Sequence, residues 1–339
     1  MAVNYSKRLQ NVQNRKFDRG LNESLTSQSF AKRDLPENMK YLLEAMRPIG
    51  KKYNDRTIAA AEAVQNHLEN GYNLHFLRTY RRQGSVETNT NIEAHSDIDL
   101  LTIIGRYHFL APGIPNNDPY TYSEPQDDIK LLRTQSNLIL SRQYDEIDNS
   151  GEKCLSIFNK HYQRKVDVVF AFWYSTPEYI SLLDERRRGI LIGSRHAKAD
   201  YPFAHIDAVN NKGNHTFDGS KMAIRLLKTL KADADTDWDL LKSFQLTTIV
   251  HSMNNNSLLF LHSNQIQIAS AISEHLSRII DDRDFRRGIW SPNSSELPLL
   301  DEKIVPQLVM LKRDLDELII DTSNELRNSF FIKQAMQSY

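Results

Sequence analysis

The sequence predicts an α+β fold, in which a mixed β-sheet with covering helices precedes a C-terminal helical lobe. Three patterns support this prediction. Apolar residues recur at spacings of three and four between residues 36 and 71, as they do on one face of a helix. Strand-like apolar runs follow between residues 74 and 172, and the chain is mostly helical from Pro177 onwards. We expect an N-terminal arm at 1–35, a core at 36–200 and a helical domain at 201–339.

The composition is that of an ordinary globular protein. Of the 339 residues, 40% are apolar and 25% are charged, and the length is sufficient for two lobes. The formal net charge is zero, which argues against a protein that coats a long polyanion. Long nucleic acid is therefore not an expected partner.

The single cysteine and the apolar runs bear on the compartment. Cys154 excludes an internal disulfide and a zinc site built from several cysteines, and it fits a reducing cytosol. The N-terminus has no apolar run of the signal-peptide type. The longest apolar run, Val168 to Tyr174, is far shorter than the roughly 20 residues that span a bilayer. We expect a cytoplasmic protein without a membrane partner.

Helical patterns occur in two places in the first half of the chain. The first begins at Pro36, is interrupted near Pro48 and Gly50, and ends at Gly71. The second is expected from Asp127 to about Ile147. Between them lie strands and a proline-rich connection.

Four strands are expected in the same half. A strand from about Leu74 to Arg81 leads into the turn Gly84-Ser85, after which we expect a short helix. A second strand runs from Asp97 to Ile104. The runs Cys154–Phe158 and Lys165–Phe172 are typical of a β-hairpin.

Two carboxylates open the second of these strands. Side chains alternate between the faces of a strand, so Asp97 and Asp99 share one face while Ile98 and Leu100 point into a core. Two such charges ~4 Å apart repel by ~4 kcal/mol at an effective dielectric constant of about 20. The pair therefore needs a cation, and its oxygen ligands suit Mg²⁺ or Mn²⁺.

A third carboxylate, Asp167, lies between Val166 and Val168 in an otherwise apolar strand. A buried carboxylate needs a partner, and the partner we predict is the same metal site. Each motif is weak alone, because a Gly-Ser pair usually marks a turn and an Asp-x-Asp pair is usually a solvated strand end. The ordered series of strand, Gly-Ser turn, Asp-x-Asp strand and later Asp favours the metal site.

The helical half contains a row of cations. Lys221, Arg225 and Lys228 are spaced to lie on one face of a helix expected at Ser220 to about Leu230. Spacing alone favours the simpler interpretation, which is a solvated basic face.

The next helix, expected from Trp238 to about Met253 with Asp237 as its N-cap, contains Lys242-Ser243-Phe244. A cation, a hydroxyl and an aromatic ring in sequence suit phosphates and a stacked base. The alternative is that Phe244 belongs to the hydrophobic core together with Ile249.

Together these motifs resemble a known family. Gln83 to Thr90, Ser96 to Leu100 and Val166 to Val168 resemble the signature of polymerase-β-type nucleotidyltransferases. Arg225 to Lys228 and Lys242 to Phe244 resemble the donor-nucleotide helices of the branch that contains cyclic GMP-AMP synthase and oligoadenylate synthase. A zinc-binding insertion of the animal DNA sensor is absent from the sequence. The nearer similarity, over about residues 36–335, is to the bacterial cGAS/DncV-like nucleotidyltransferases (CD-NTases) of antiphage signalling.

The resemblance implies a polymerase-β-like core, a helical lobe and an active site in the cleft of a two-lobed enzyme. It implies two Mg²⁺ (or Mn²⁺) ions per site bound by the catalytic residues Asp97, Asp99 and Asp167. It further implies phosphate contacts from Gly84, Ser85, Lys228 and Ser243, stacking of the base on Phe244, and a position near the nucleotide for Thr90.

The implied activity is synthesis of a cyclic di- or trinucleotide second messenger from nucleoside triphosphates, with release of pyrophosphate. ATP, GTP and pyrimidine nucleotides are all candidate substrates, and the resemblance implies regulatory or effector partners of an antiphage CBASS system. Two alternatives stay open at this point: an enzyme that modifies RNA or protein, such as a tailing enzyme or an AMP-transferring toxin, and a catalytically silent nucleotide-binding regulator. Net neutrality counts against an RNA substrate, and the intact three aspartates count against a silent regulator.

Overall fold

A computed structural model describes residues 3–17, 35–115, 123–235, 238–259 and 265–337. The chain divides into two compact units. We call Gly50–Asn89 with His95–Ala208 the sheet unit, and Met1–Ile49, Thr90–Ala94 and Val209–Tyr339 the helical unit. This division places the N-terminal residues and a short segment after Asn89 with the C-terminal helices, whereas the sequence analysis separated them as an arm and a part of the core.

The sheet unit contains one six-stranded mixed sheet. Its strands are β1 (Arg78–Gln83), β2 (Ile98–Leu110), β3 (Ile147–Asp148), β4 (Cys154–Asn159), β5 (Arg164–Ser175) and β6 (Gly189–Ile192). The order across the sheet is β1-β2-β5-β4-β3, and β6 also pairs with β5. Strands β2 and β5 are parallel, and the other pairs are antiparallel. The expected mixed sheet and the β4–β5 hairpin are confirmed.

Alternation along β2 and β5 assigns their apolar side chains to two separate clusters, a larger one on one face of the sheet and a smaller one, which includes Leu101 and Val169, on the other. Ile98 and Leu100 of β2, and Val166 and Val168 of β5, are buried in a core that also contains Val64. Val64 belongs to a helix, α3 (Lys51–Gly71), of the sheet unit, which also contains α4 (Pro125–Leu140) and α5 (Pro177–Leu182). Side chains that alternate with these four therefore point to the opposite face.

The helical unit is built on a separate core. Its helices are α1 (Tyr5–Lys16), α2 (Glu37–Met46), α7 (Gly219–Ala232), α8 (Ser243–His251), α9 (Asn255–Leu258), α10 (Ile266–Asp281), α11 (Arg283–Arg287) and α12 (Val305–Gln337); α6 (Pro202–His215) includes the boundary of the two units. Leu226 and Leu227 of α7 are fully buried there with Ile249 of α8. None of the helices in the described part of the chain is long and apolar enough to cross a membrane.

The first helix is an integral part of this unit. Tyr5, Leu9 and Val12 of α1 are buried in its core, at the spacing of one helix face. Arg15, on the last turn, donates to both oxygens of Asp233 at 2.7 and 3.0 Å. Residues 18–34 of the expected arm lie outside the described residues.

Three boundaries differ from the sequence expectations. The helix predicted to end near Ile147 ends at Leu140, and the helix predicted from Trp238 begins at Ser243. The predicted N-cap Asp237 lies outside the described residues. The segment after Gly84 is a series of turns and not the predicted short helix. The ends of helices depend on local turn geometry, which the periodicity of apolar residues does not predict.

Candidate active site

Strand register brings two of the predicted catalytic carboxylates side by side. Asp99 on β2 and Asp167 on β5 are direct partners in the parallel ladder. Asp97 immediately precedes β2 at the same end of the sheet, on the same face as Asp99 by alternation. Asp167, which is distant in sequence, thus meets Asp97 and Asp99 on the face of the sheet opposite to the core that contains Val64.

Each of these two aspartates also has a polar ladder partner on its other neighbouring strand. The result is a row of four polar side chains across four strands. Gln83 on β1 is the ladder partner of Asp99, and Ser156 on β4 is the ladder partner of Asp167. Gln83 Nε2 donates to Asp99 Oδ2 at 3.0 Å, and Ser156 Oγ donates to Asp167 Oδ1. Each carboxylate is therefore oriented by a donor on the neighbouring strand.

A lysine that no sequence motif indicated lies at the same place. Lys165 Nζ donates to Asp97 Oδ2 at 3.0 Å and to Asp167 Oδ2 at 3.1 Å. Lys165 is two residues before Asp167 on β5, so the two side chains share a face of the strand. The sequence does show a lysine two positions before Asp167. Nothing in the local pattern, however, distinguishes this lysine from an ordinary solvent-exposed one.

Electrostatics at this face favour a cation. Burial raises the pKa of Asp99, and the neighbouring charges of Asp167 and Asp97 raise it further, while the Gln83 bond and the Lys165 charge act in the opposite direction. Burial lowers the pKa of Lys165, but its bonds to Asp97 and Asp167 more than offset this, and the pKa lies above its ordinary value.

The donor chemistry of the three aspartates fits a hard divalent cation. All of them offer carboxylate oxygens, which are the ligands that Mg²⁺ and Mn²⁺ prefer. As the side chains lie, no group of three or more His, Cys, Asp or Glu residues in the described ranges forms a ready metal site. Two of the three carboxylates instead share the ammonium group of Lys165. The face thus has the charge and ligand type for a cation.

The Gly84-Ser85 turn follows β1 directly. Gly84 has a φ of +108°, which a residue with a side chain rarely adopts, although a Cβ there would meet no atom within 4 Å. Ser85 is partly buried, and its carbonyl accepts a bond from Thr88 Oγ1 at 3.2 Å. Backbone conformation and not space therefore requires glycine at this position.

In the helical unit, two of the predicted residues come together. Lys228 Nζ donates to the carbonyl oxygen of Thr90 at 3.1 Å. Burial lowers the pKa of Lys228 to about 8, and the charge of Arg225 contributes in the same direction. Thr90 itself is buried.

The rest of the cation row on α7 is not a solvated face. Arg225 is 0% exposed; it donates to Asp218 Oδ2 at 2.8 Å and to the carbonyl oxygen of Met46 at 2.6 Å. Lys221 donates to Asn210 Oδ1 at 2.9 Å. The simpler interpretation from spacing is therefore wrong, because a buried guanidinium on this helix stabilises the end of α2.

The Lys242-Ser243-Phe244 triplet lies at the N-terminal end of α8. Lys242 occupies the N-cap position and Ser243 is the first helical residue, and both are exposed. Phe244 is only partly buried, whereas Ile249 belongs to the fully buried core. The exposed hydroxyl and the backbone N–H groups of a helix start are both groups that bind phosphate.

The chain is similar to proteins that are named as cyclic dinucleotide synthases. No family model matches the chain. A c-di-GMP synthase of Capnocytophaga granulosa is 30% identical over 351 residues, which cover 95% of this chain and 97% of the relative. A cyclic dinucleotide synthase CdnE of Yersinia aleksiciae is 31% identical over 248 residues, which cover 70% of this chain and 63% of the relative.

Solved structures give the same result. The STING-associated CdnE c-di-GMP synthase from Capnocytophaga granulosa has a TM-score of 0.79 at 28% identity, and the match covers 95% of this chain and 99% of that chain. The c-UMP-AMP synthase CdnE of Rhodothermus marinus has a TM-score of 0.63 at 15% identity, over 81% and 94% of the two chains. The second likeness shows the fold alone.

The fold and these relatives define a nucleotidyltransferase with a polymerase-β-like core. The chain belongs to the bacterial cGAS/DncV-like nucleotidyltransferases, the CD-NTases. It is an enzyme that makes a cyclic oligonucleotide from nucleoside triphosphates. The expected family, the α+β fold class and the enzyme class are confirmed, and the relatives favour neither of the two alternative functions.

Proposed function

We propose that this protein joins two GTP molecules into c-di-GMP and releases two molecules of pyrophosphate. The product assignment is supported by the Capnocytophaga granulosa relative, which carries that name and aligns with 95% of the chain. The catalytic assignment is supported by one observation above all, the ladder pairing of Asp99 with Asp167 beside Asp97.

We assign catalysis to the three aspartates. Asp97, Asp99 and Asp167 would hold two divalent ions, Mg²⁺ or Mn²⁺. When bound, such ions lower the pKa of an attacking hydroxyl and neutralise charge on the transferred phosphoryl group. Asp167 is the residue that we expect to be nearest to the attacking ribose hydroxyl and to accept its proton.

Two residues on the outer strands complete the site. Gln83 and Ser156 keep Asp99 and Asp167 in one orientation by donating to a single oxygen of each. The other oxygen of each carboxylate then faces a defined direction. This is the role of residues that support ligands without touching the substrate.

We also assign nucleotide contacts within each unit, taken by itself. In the sheet unit, Gly84 and Ser85 bind phosphate oxygens through the turn after β1. In the helical unit, Lys228 and Ser243 contact the triphosphate of the donor nucleotide, and Phe244 stacks on its base. Thr90 acts through its carbonyl oxygen, which accepts from Lys228 and so fixes the direction of the ammonium group.

The biological setting that we propose is bacterial antiphage (CBASS) signalling in the cytoplasm. The similar Capnocytophaga granulosa structure is described as STING-associated. A cyclic dinucleotide made by this protein would then act on a STING-type receptor, which is the effector partner that we propose.

Product analysis tests the proposal directly. Purified protein is incubated with each radiolabelled NTP alone and with all four together, with Mg²⁺ or Mn²⁺, and the products are treated with phosphatase. We expect a phosphatase-resistant product from GTP alone that co-migrates with c-di-GMP. A resistant product that requires a second NTP would correct the base choice. Label that is transferred only after RNA or protein is added would contradict the proposed activity.

A further inference from the structure

The ammonium group of Lys165 binds one oxygen of each of two carboxylates, those of Asp97 and Asp167. Its Nζ lies 3.0 Å from Asp97 Oδ2 and 3.1 Å from Asp167 Oδ2. Both acceptors belong to the aspartates to which the proposed function assigns metal binding, so the inference rests on that proposal. A divalent ion that takes these oxygens as ligands competes with the ammonium for them.

The interaction combines one exposed and one sheltered acceptor, because the side chains of Lys165 and Asp97 are 42% and 50% exposed. The carboxylate of Asp167 is only 16% exposed, and it also accepts from Ser156. Asp97 lies immediately before β2, whereas Asp167 lies on β5, the parallel neighbour of β2. One ammonium therefore links two chain segments that like charges would otherwise push apart.

The nearby hairpin offers a comparison. Lys160 lies in the turn between β4 and β5 and pairs with Asp145 at 3.0 Å and Glu146 at 3.5 Å, where all three side chains are more than half exposed. Such exposed pairs contribute little to stability because solvent screens them. Lys160, like Lys165, pairs with two carboxylates, but it lies away from the three aspartates and can therefore serve as a control.

We propose that Lys165 is a placeholder cation for the metal site. Its ammonium holds Asp97 and Asp167 close together when no divalent ion is bound, and it is displaced from both oxygens when one binds. Lys165 is thus a positioning residue. It prevents the repulsion between carboxylates that would distort an empty site, and it weakens the binding of free divalent ions by competition.

Direct measurement of Mn²⁺ binding tests this inference without any turnover. Calorimetry and Mn²⁺ electron paramagnetic resonance are carried out on the nucleotide-free protein and on Lys165→Met. We expect Lys165→Met to bind Mn²⁺ at least about tenfold more tightly, because a positive charge next to two ligands has been removed. Lys165→Gln, which keeps a polar side chain, should behave in the same way, and Lys160→Met should bind as the natural protein does.

Thermal unfolding gives an independent measurement. In EDTA, Lys165→Met should unfold at a lower temperature than the natural protein, because the carboxylates lose their counter-charge. Saturating Mn²⁺ should remove this difference, and the Lys160→Met variant should show no such difference. Circular dichroism at low temperature verifies that each variant is folded.

Two outcomes overturn the inference in distinguishable ways. If Lys165→Met binds Mn²⁺ with unchanged or lower affinity, while the double variant Asp97→Asn/Asp99→Asn loses binding, the metal site is correct and the placeholder role is wrong. If the double variant binds Mn²⁺ as the natural protein does, the proposed metal site is wrong, and the inference fails with it.

Discussion

Asp99 on β2 and Asp167 on β5 are partners in the parallel ladder, and their side chains emerge on the same face of the sheet. Each also accepts a hydrogen bond from the strand on its outer side, from Gln83 on β1 and from Ser156 on β4. The proposed catalytic face is therefore a row across four adjacent strands. Groups carried by strands are held more precisely than groups on loops, which suits a site that must keep a fixed geometry.

The first prediction concerns the aspartates. The double variant Asp97→Asn/Asp99→Asn should lower the rate of cyclic product formation by roughly 10²–10³-fold or more, as removal of transition-state charge stabilisation does. Its melting temperature should not fall, because the substitution keeps the volume of both side chains and removes repulsion at Asp99. Radiolabelled product is quantified by chromatography, and melting is followed by circular dichroism.

Asp148→Asn is the matched control for that variant. Asp148 is an exposed aspartate on the edge strand β3 of the same sheet, and the change there should leave the rate unaltered. Activity that survives in the double variant would show that the metal site is misplaced.

The second prediction concerns the donor to Asp167. Ser156→Ala removes the hydroxyl that orients this carboxylate and should reduce Mn²⁺ affinity or catalytic rate by about 10–100-fold, as losses of supporting groups do. Ser181→Ala removes an exposed hydroxyl of α5, which donates only to a local carbonyl, and should have no effect. Equal behaviour of the two variants would contradict the orienting role of Ser156.

The third prediction is a pH dependence of nucleotide binding. Burial lowers the pKa of Lys228 to about 8. Its side chain is therefore positively charged below pH 8 and loses this charge as the pH rises through that value. An anionic triphosphate prefers the charged form. We expect GTP affinity to fall above pH 8, and GTP binding at pH 8 to take up a proton. Calorimetry in buffers of different ionisation enthalpy measures this uptake.

The controls for that prediction are two methionine variants of α7. Lys228→Met should bind GTP weakly at every pH and should show no linked proton. Lys231→Met, three residues further along the same helix, should keep both the affinity and the proton uptake. Proton uptake that persists in Lys228→Met would assign the titration to another group.

The fourth prediction concerns folding stability and Arg225. Arg225→Leu leaves the carbonyl of Met46 without this buried donor and removes the ion pair with Asp218. The free energy of unfolding should fall by about 1–3 kcal/mol, the range for losing one partner of a buried polar pair. Urea unfolding measures the change. Arg327→Leu, at an exposed position of α12, should change stability by no more than about 0.5 kcal/mol.

Local sequence patterns were sufficient for much of the fold. The β4–β5 hairpin follows from alternation, the separation of α2 and α3 follows from Pro48 and Gly50, and the mixed sheet with a helical half follows from the order of the elements. These features depend on residues close together in the chain, so the sequence reports them.

The supporting residues of the site could not be found in that way. Gln83, Ser156 and Lys165 look like ordinary polar residues of strands, and they matter only because the register places them beside carboxylates. Register is a relationship between strands that are distant in sequence. A shift of one residue would turn every one of these side chains to the other face of the sheet.

The same distinction applies to the helical unit. The spacing of Lys221, Arg225 and Lys228 correctly indicated one helix face, but it could not show that Arg225 is buried against the end of α2. Likewise, the expected N-terminal arm contains a helix, α1, that packs into the core of the helical unit. Residue types and spacing thus predicted the elements and the three aspartates, and the resemblance of the motifs indicated the family. Tertiary structure decided which polar groups meet, because burial and pairing depend on segments that only the folded chain brings together.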